Sequence, residues 1–134
     1  MKPLLPLLLL LATPAAADDL LFFRAPSNNI HCLIATGEWA EVRCDMLELT
    51  RSFTRRPADC DLEWGNSFAV APNSRKGYVA CVGDSVISPD AMVLNYGQSV
   101  SLGGFVCTSQ KTGMTCTNPA GHGFSIARAR QRLF

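Results

Sequence analysis

Six cysteines limit the folds that are open to this chain more than any other feature of its sequence. None of them lies in the apolar N-terminal segment, and they occupy positions Cys32, Cys44, Cys60, Cys81, Cys107 and Cys116. An even set of cysteines behind an export signal is typical of small extracytoplasmic domains. A chain of this size buries roughly two-thirds of its unfolded surface, so its core is thin and benefits from cross-links. We therefore predict a domain stabilised by three disulfides.

The N-terminal segment has the parts of an export signal. Lys2 supplies a positive charge, an apolar run follows over residues 4–11, and small residues lead up to Ala17. This pattern predicts cleavage after Ala17. The apolar run is shorter than the roughly 20 residues that a membrane span requires. We predict a signal peptide over residues 1–17 and a single disulfide-bonded domain over residues 18–134, which is secreted or periplasmic and has no transmembrane span.

Local geometry favours one pairing of the cysteines, although their spacing alone does not choose among the alternatives. A hairpin with residues 111–112 at its tip places Cys107 directly opposite Cys116. A three-residue loop over residues 37–39 does the same for Cys32 and Cys44. Directly opposed Cβ atoms lie about 4.5–5.5 Å apart, which is close to the separation within a disulfide. The preferred pairing is Cys32–Cys44, Cys60–Cys81 and Cys107–Cys116.

The chain after the signal consists of short apolar segments separated by Gly, Asn and Pro turns. No window shows a 3.6-residue apolar period, and the strand-like segments are short and lie between turn signals. Many short strands with such turns are typical of all-β proteins. We predict an all-β fold, a small antiparallel sandwich or barrel.

The C-terminal segment carries three regularly spaced arginines. If it forms one unbroken strand, Arg128, Arg130 and Arg132 share a face at intervals of about 6.8 Å. Such a row is suited to an anion, either an acidic glycan, a phosphate or an acidic partner. The alternative is an edge strand whose charges prevent sheet-to-sheet aggregation. Lys2 is lost with the signal, so Lys and Arg then equal Asp and Glu in number, and this balance disfavours a nucleic-acid partner.

Two histidines and two tryptophans complete the set of candidate site residues. His31 and His122 could act as the acid and base of a small secreted hydrolase of the nuclease type, with an arginine stabilising the phosphorane. The spacing does not require them to converge, since His122 lies in a Gly-His-Gly turn. Trp39, at a hairpin tip, is a candidate for stacking on sugars, whereas Trp64 between Leu62 and Gly65 is expected in the core.

Metal and cofactor signals are weak. The chain has no C-x-x-C motif, and His31 next to Cys32 lacks a matching partner for a zinc site. Asp59, Asp61 and Glu63 could serve glycoside hydrolysis or a weak calcium site, but an acidic loop is usually just solvated. Asp84 is expected to be a turn residue. We predict no catalytic residue, no metal and no cofactor.

Several motifs run through nearly the whole chain after the signal. They include residues 23–32 (FRAPSNNIHC), 42–45 (VRCD), 104–109 (GFVCTS), 112–116 (TGMTC) and 121–124 (GHGF), followed by the closing Leu133-Phe134. This combination resembles a family of small secreted bacterial proteins with no assigned function. Asn28 departs from the pattern, which usually has glycine there, yet asparagine also adopts positive φ. The resemblance implies export and paired cysteines, and it implies no activity.

The sequence therefore leads to two functional hypotheses. The first is a non-catalytic extracytoplasmic binding or inhibitor module, with an envelope protein or an anionic glycan as its partner. Its candidate ligand-binding residues are Arg128, Arg130, Arg132, His122 and Trp39. The second is a small secreted hydrolase that uses His31 and His122.

Overall fold

The computed structural model describes residues 1–4, 18–53 and 55–134. These residues form eleven strands and one short 3₁₀ helix. The strands are β1 (Leu20–Arg24), β2 (Ile30–Ala35), β3 (Glu41–Met46), β4 (Glu63–Val70), β5 (Tyr78–Val82), β6 (Met92–Val93), β7 (Ser99–Leu102), β8 (Phe105–Gln110), β9 (Gly113–Thr117), β10 (Gly123–Ile126) and β11 (Gln131–Leu133). The predicted signal peptide falls largely on residues 5–17, which lie outside the described residues. In the described part of the chain, no helix has the length and apolar composition to cross a membrane.

The strands form two open sheets, which confirms the all-β prediction. The first sheet has the order β5-β4-β3-β2-β1-β6, and the second has the order β11-β10-β9-β8-β7. All neighbours are antiparallel except β1 and β6, which run parallel. Because neither sheet closes on itself, the architecture is a sandwich and not a barrel.

The core lies between the two sheets and follows from the alternation of side chains along each strand. Every second residue of a strand points inward, and most of these inward residues are apolar, although Ser109 of β8 is a buried polar exception. Phe68 of the first sheet and Phe124 of the second place their ring centroids 6.4 Å apart. The fully buried core residues include Phe23, Ile34, Val42, Val70, Phe105, Met114 and Ile126.

Three disulfides connect the strands in the preferred pairing, which is therefore confirmed. Cys32–Cys44 joins β2 to β3, and Cys107–Cys116 joins β8 to β9. In both hairpins the two cysteines are direct cross-strand partners. Cys60–Cys81 links the loop before β4 to β5. The first two bridges meet in the core, where Sγ of Cys44 lies 3.7 Å from Sγ of Cys116.

One of the two predicted hairpin turns has the predicted form, and the other is longer. The hairpin between β8 and β9 has Lys111 and Thr112 at its tip, as predicted, with Gln110 paired to Gly113. The connection between β2 and β3 is longer than the predicted three-residue loop, because Gly37–Trp39 forms a 3₁₀ helix flanked by Thr36 and Ala40. The cysteines remain in register all the same.

The C-terminal segment is not one unbroken strand, so the condition for a row of arginines is not met. β10 ends at Ile126, which pairs with Met114 at the beginning of β9. Only Gly113 of β9 lies beyond this pair, so β10 cannot continue along β9. The chain therefore turns over residues 127–130 and returns as β11 on the free edge of β10. The turn is closed by the amide of Ala127, which donates to the carbonyl of Arg130 at 2.8 Å.

The turn is also anchored, through Gln131, to the loop that follows β3. Its buried side-chain amide donates to the carbonyls of Ala127 and Thr50, and its side-chain oxygen accepts from the amide of Ser52. These bonds satisfy a polar group that an apolar core would otherwise penalise. The three arginines consequently do not stand in one row.

The loops gather at the two ends of the sandwich. One end, called the hairpin end, holds the turns at residues 25–29, 110–113 and 127–130 together with the segment 46–50. The other end, called the far end, holds residues 36–40, 71–77, 103–104 and 118–122. There the side-chain amide of Asn118 donates to the carbonyls of Ala71 and Ser74.

Candidate functional site

A concavity of about 500 Å³ lies at the hairpin end. Loops that connect strands of both sheets form its walls, so it exists only because the two sheets pack against each other. Its lining includes Ser27, Asn28, Asn29, Met46, Glu48, Tyr96, Gln110, Lys111, Thr112 and Arg128. We refer to it as the end concavity. Its volume is in the range of sites that hold small molecules.

One wall of the end concavity is held rigid by Asn29. Its side-chain amide donates to the carbonyl of Glu48 at 2.9 Å, and its side-chain oxygen accepts from the amide of Glu48 at 2.8 Å. The amide of Leu47 donates to the carbonyl of Asn29. Asn28, next to it, has φ of 63°, a left-handed conformation that asparagine tolerates better than most residues. The turn before β2 and the segment after β3 therefore form one unit.

Two cations line the end concavity. The guanidinium of Arg128 donates to the carboxylate of Glu48 at 2.8 Å, and both side chains are largely exposed. Lys111 stands at the tip of the β8–β9 hairpin and has no ion pair with another described residue. Surface ion pairs contribute only about 0–1 kcal/mol, so an incoming anion can compete with Glu48 for Arg128.

Several polar side chains in the end concavity have unused hydrogen-bonding capacity. Asn28, Gln110, Thr112 and the hydroxyl of Tyr96 make no side-chain hydrogen bond to another described residue. The ring of Tyr96 is 42% exposed. Amide, hydroxyl and aromatic groups of this kind orient ligands in binding sites. The end concavity can therefore offer both positive charge and directional hydrogen bonds.

Charge is divided between the two sheets in a way that the overall balance conceals. Residues 91–134, which contain the whole second sheet, carry four Lys or Arg and no Asp or Glu, a formal charge of +4. Residues 18–90 carry seven Lys or Arg against eleven Asp or Glu, a formal charge of −4. Residues 91–134, which we call the acid-free tail, were visible as such in the sequence. They would have indicated Lys111 as a candidate site residue. Such a one-sided distribution attracts anions to the second sheet.

The structure separates the sequence-predicted ligand residues into two groups. Arg128 lines the end concavity. Arg130 and Arg132 line a neighbouring groove of about 440 Å³ on the outer face of the second sheet. Trp39 is 80% exposed and lies at the far end, where His122 also lies. The candidates thus do not share one concavity, whereas Tyr96, Asn28 and Glu48 were not predicted from the sequence.

The two histidines are not brought together. His31 lies on the outer face of the first sheet, near the hairpin end, and is buried. Its Nε2 is 3.0 Å from the carbonyl of Asn28. His122 lies at the far end, and the amide of its backbone donates to the side-chain oxygen of Asn118. Acid–base work on one phosphate requires both imidazoles within hydrogen-bond reach of the reacting atoms, and this arrangement does not provide that.

The acidic candidates are placed apart from the end concavity. Asp59, Asp61 and Glu63 are exposed around Cys60, and no group of three or more potential metal ligands is found among residues 18–53 and 55–134. Asp84, which was expected to act only as a turn residue, also binds the guanidinium of Arg43 at 2.7 Å. Trp64 is half-buried rather than fully in the core.

Burial alone would lower the pKa of Arg43, but its hydrogen bonds to Asp45 and Asp84 outweigh burial and raise that pKa above its ordinary value. The same bond lowers the pKa of Asp84, because Arg43 favours its ionised form. The buried members of this polar cluster, Arg43 and Asp45, are paired with each other and with neighbouring residues, whereas the carboxylate of Asp84 is exposed. We therefore assign it to stability and not to binding.

Comparisons with known proteins add one positive finding. The sequence model of a family of unknown function (DUF6636) matches residues 3–134. No curated protein and no solved structure matches the chain.

Proposed function

We propose that this chain, which belongs to a family of unknown function (DUF6636), is a non-catalytic binding module that acts outside the cytoplasm. In this proposal the end concavity takes an anionic group of the ligand. One observation carries it: two cations and several unused hydrogen-bonding side chains, from separate loops of both sheets, converge on one concavity. The acid and base candidates, by contrast, are at different ends of the molecule.

The disulfides support the extracytoplasmic part of the proposal. Three disulfides persist in oxidising compartments and are rare where thiols are kept reduced. They also make the scaffold beneath the loops rigid, since two of them link the paired strands of a hairpin and are buried in the core. A rigid scaffold lowers the entropy lost when a ligand binds. The N-terminal pattern of a signal peptide agrees with this location.

The contacts suggest how an anion would be held. A ligand carboxylate or sulfate would approach Lys111 as a point charge and share the guanidinium of Arg128 with Glu48. Asn28, Gln110 and Thr112 would then bond to neighbouring polar groups of the ligand. The exposed ring of Tyr96 would cover an apolar face of it. Charge would attract the ligand, and the neutral side chains would orient it.

A titration followed by NMR tests this function. We expect glucuronate to shift the amide resonances of residues around Lys111 and Arg128, and glucose, which lacks the carboxylate, to shift them far less. Lys111→Gln and Arg128→Gln should each weaken glucuronate binding by about five-fold, the effect of losing roughly 1 kcal/mol. Arg75→Gln, which removes an exposed arginine at the far end, serves as the control and should bind normally. The proposal is wrong if both variants bind glucuronate as the unmodified protein does.

A further inference from the structure

The outer face of the second sheet carries a row of hydroxyl groups that crosses the strands. Ser99 of β7 pairs with Thr108 of β8, Thr108 pairs with Thr115 of β9, and Thr115 pairs with Ser125 of β10. Arg132 of β11 pairs with Ser125 and completes the line. We call the four hydroxyl residues the hydroxyl row. Adjacent strands are about 4.7–4.9 Å apart, so the line from Ser99 to Arg132 is roughly 19 Å long.

The hydroxyl row points away from the core and retains hydrogen-bonding capacity. The inward positions of β8, β9 and β10 are buried and those of β7 are half-buried, whereas the hydroxyl residues are exposed or half-exposed. Ser99 Oγ lies 2.8 Å from Thr108 Oγ1, and Thr115 Oγ1 lies 2.9 Å from Ser125 Oγ. Each hydroxyl has one donor and two acceptor positions. Every bonded pair therefore keeps one donor and three acceptor positions for another molecule.

Positive charge lies at one end of the hydroxyl row. Arg130 and Arg132 line the groove of about 440 Å³ together with Thr115 and Ser125. The guanidinium of Arg132 is positioned over the ring of Phe134, 4.9 Å from its centroid. Neither arginine has an ion pair with a described residue, and the second sheet contributes no acidic side chain. The groove is thus suited to a carboxylate or sulfate.

The groove is continuous with the end concavity. Gln110, Thr112 and Gly113 line both of them. A surface with cations at Lys111, Arg130 and Arg132 therefore extends without a break from the hairpin end onto the hydroxyl row. A single small anion would occupy only a fraction of this surface.

We propose that this surface binds an extended acidic polysaccharide, whose chain crosses the strands along the hydroxyl row and continues through the groove to the end concavity. The inference rests on the proposed anion-binding function and names the class of its ligand. Sugar hydroxyls would exchange hydrogen bonds with the hydroxyl row, and acidic groups would lie on the arginines and Lys111. The distance between adjacent strands is close to the length of one sugar ring in an extended chain, so successive sugars can meet successive hydroxyls.

The same surface fits other polymers less well. Single-stranded nucleic acids stack their bases on aromatic side chains, whereas the five strands expose none on this face and the ring of Phe134, just after β11, is covered by the guanidinium of Arg132. Protein interfaces have an apolar centre, whereas Val106 is the one large apolar side chain that the five strands expose on this face, at 39%. Peptide strand addition uses a sheet edge, but the hydroxyl row lies on a face.

Calorimetric titration with galacturonate oligomers of increasing length tests the inference. We expect affinity to rise with length until the oligomer spans the row, and neutral dextran oligomers not to bind. The double variant Thr108→Val and Thr115→Val keeps side-chain shape and strand propensity. It should weaken binding of the long oligomer at least ten-fold and leave glucuronate binding in the end concavity unchanged. Arg130→Gln with Arg132→Gln should weaken the long oligomer as well and reduce its salt dependence.

Thr117→Val is the matched control, since it removes a hydroxyl from the same face of β9 outside the row, and the long oligomer should bind it normally. Dispersion of the amide resonances verifies that each variant is folded. The inference is overturned if affinity does not rise with length, or if the Thr108 and Thr115 double variant binds the long oligomer normally. Glucuronate binding that depends on Lys111 and Arg128 would leave the proposed function intact in that case. If the unmodified protein does not bind glucuronate at all, both the inference and the proposed function are overturned.

Discussion

At the scale of single residues, Asp45 organises the outer face of the first sheet. Its carboxylate accepts two hydrogen bonds from the guanidinium of Arg43, one from the hydroxyl of Ser67 and one from the amide of Val86. Arg43 in turn binds the exposed carboxylate of Asp84. Both Arg43 and Asp45 are buried, so the cost of their burial is offset only while the cluster is complete.

This cluster predicts unequal effects of two matched substitutions. Asp45→Asn should lower the free energy of unfolding by about 3–5 kcal/mol, because it breaks a buried ion pair. Asp84→Asn should lower it by about 1 kcal/mol or less, since Asp84 is exposed to solvent and Arg43 keeps Asp45. Urea unfolding at neutral pH measures both values. Equal losses would contradict the distinction between the two carboxylates.

The contribution of Asp84 should also depend on pH. Arg43 lowers the pKa of Asp84 below its ordinary value of 3.8, so the folded protein holds this carboxylate ionised more strongly than the unfolded chain does. The stabilisation is therefore present above pH 3.8 and is lost as the pH falls through the folded-state pKa. The difference in urea stability between the unmodified protein and Asp84→Asn should shrink to zero over that window. A difference that stays constant down to pH 2 would contradict this assignment.

At the scale of elements, β9 is the central strand of the second sheet and leaves no space at its first residue. Gly113 has φ of 150° and follows the hairpin tip. A Cβ there would overlap the backbone carbonyl of Ile126, at the position where β10 ends. The absence of a side chain therefore allows the hairpin tip and the C-terminal turn to lie side by side, and the end concavity and the groove depend on that contact.

Gly113→Ala should consequently be more damaging than an alanine at another positive-φ glycine. Gly121 is the matched control, because its φ is 86° and nothing lies within 4 Å of its Cβ position. Gly121→Ala should cost about 1 kcal/mol, the strain of the backbone alone. Gly113→Ala should cost about 3 kcal/mol or more, since backbone atoms must also move. Thermal unfolding compares the two, and a smaller loss for Gly113→Ala would contradict the contact.

At the scale of the whole molecule, two oppositely charged sheets are held together by a core that contains two of the three disulfides. Cys32–Cys44 and Cys107–Cys116 are fully buried and meet between the sheets. Cys60–Cys81 lies near the surface, where Cys81 is exposed. The bridges thus differ in what they contribute, since two of them also fill core volume.

We expect the purified protein, denatured without reductant, to contain no reactive thiol, as all six cysteines are paired. Removing Cys60–Cys81 by a double alanine substitution should cost about 3 kcal/mol of stability through loop entropy. Removing Cys107–Cys116 should cost more, although its loop is shorter, because a cavity is left in the core. Urea unfolding of the two variants shows whether loop entropy or core packing determines the loss of stability. A larger loss for the Cys60–Cys81 variant would show that loop length dominates.

The sequence by itself determined the features that depend on neighbours along the chain. Short apolar segments between turn residues indicated strands, and the tip at Lys111 and Thr112 followed from its turn residues. The same local register set Cys107 opposite Cys116. These predictions succeeded because a hairpin is specified by its turn and by the pleat of its two strands. The acid-free tail was equally visible, but its meaning depends on five of its six strands forming one sheet.

Only the tertiary structure decided how distant segments meet. The C-terminal arginines do not form a row, because Arg128 and Arg130 lie in a turn and Arg132 lies in β11. The turn forms where β9 begins, at Gly113, so that β10 has no further strand to pair with. Arg128 forms an ion pair with Glu48, whereas Trp39 and His122 lie at the far end. The hydroxyl row exists because the registers of four strands align. Such contacts arise from the packing of two sheets and from strand order, which single residues and their spacing do not encode.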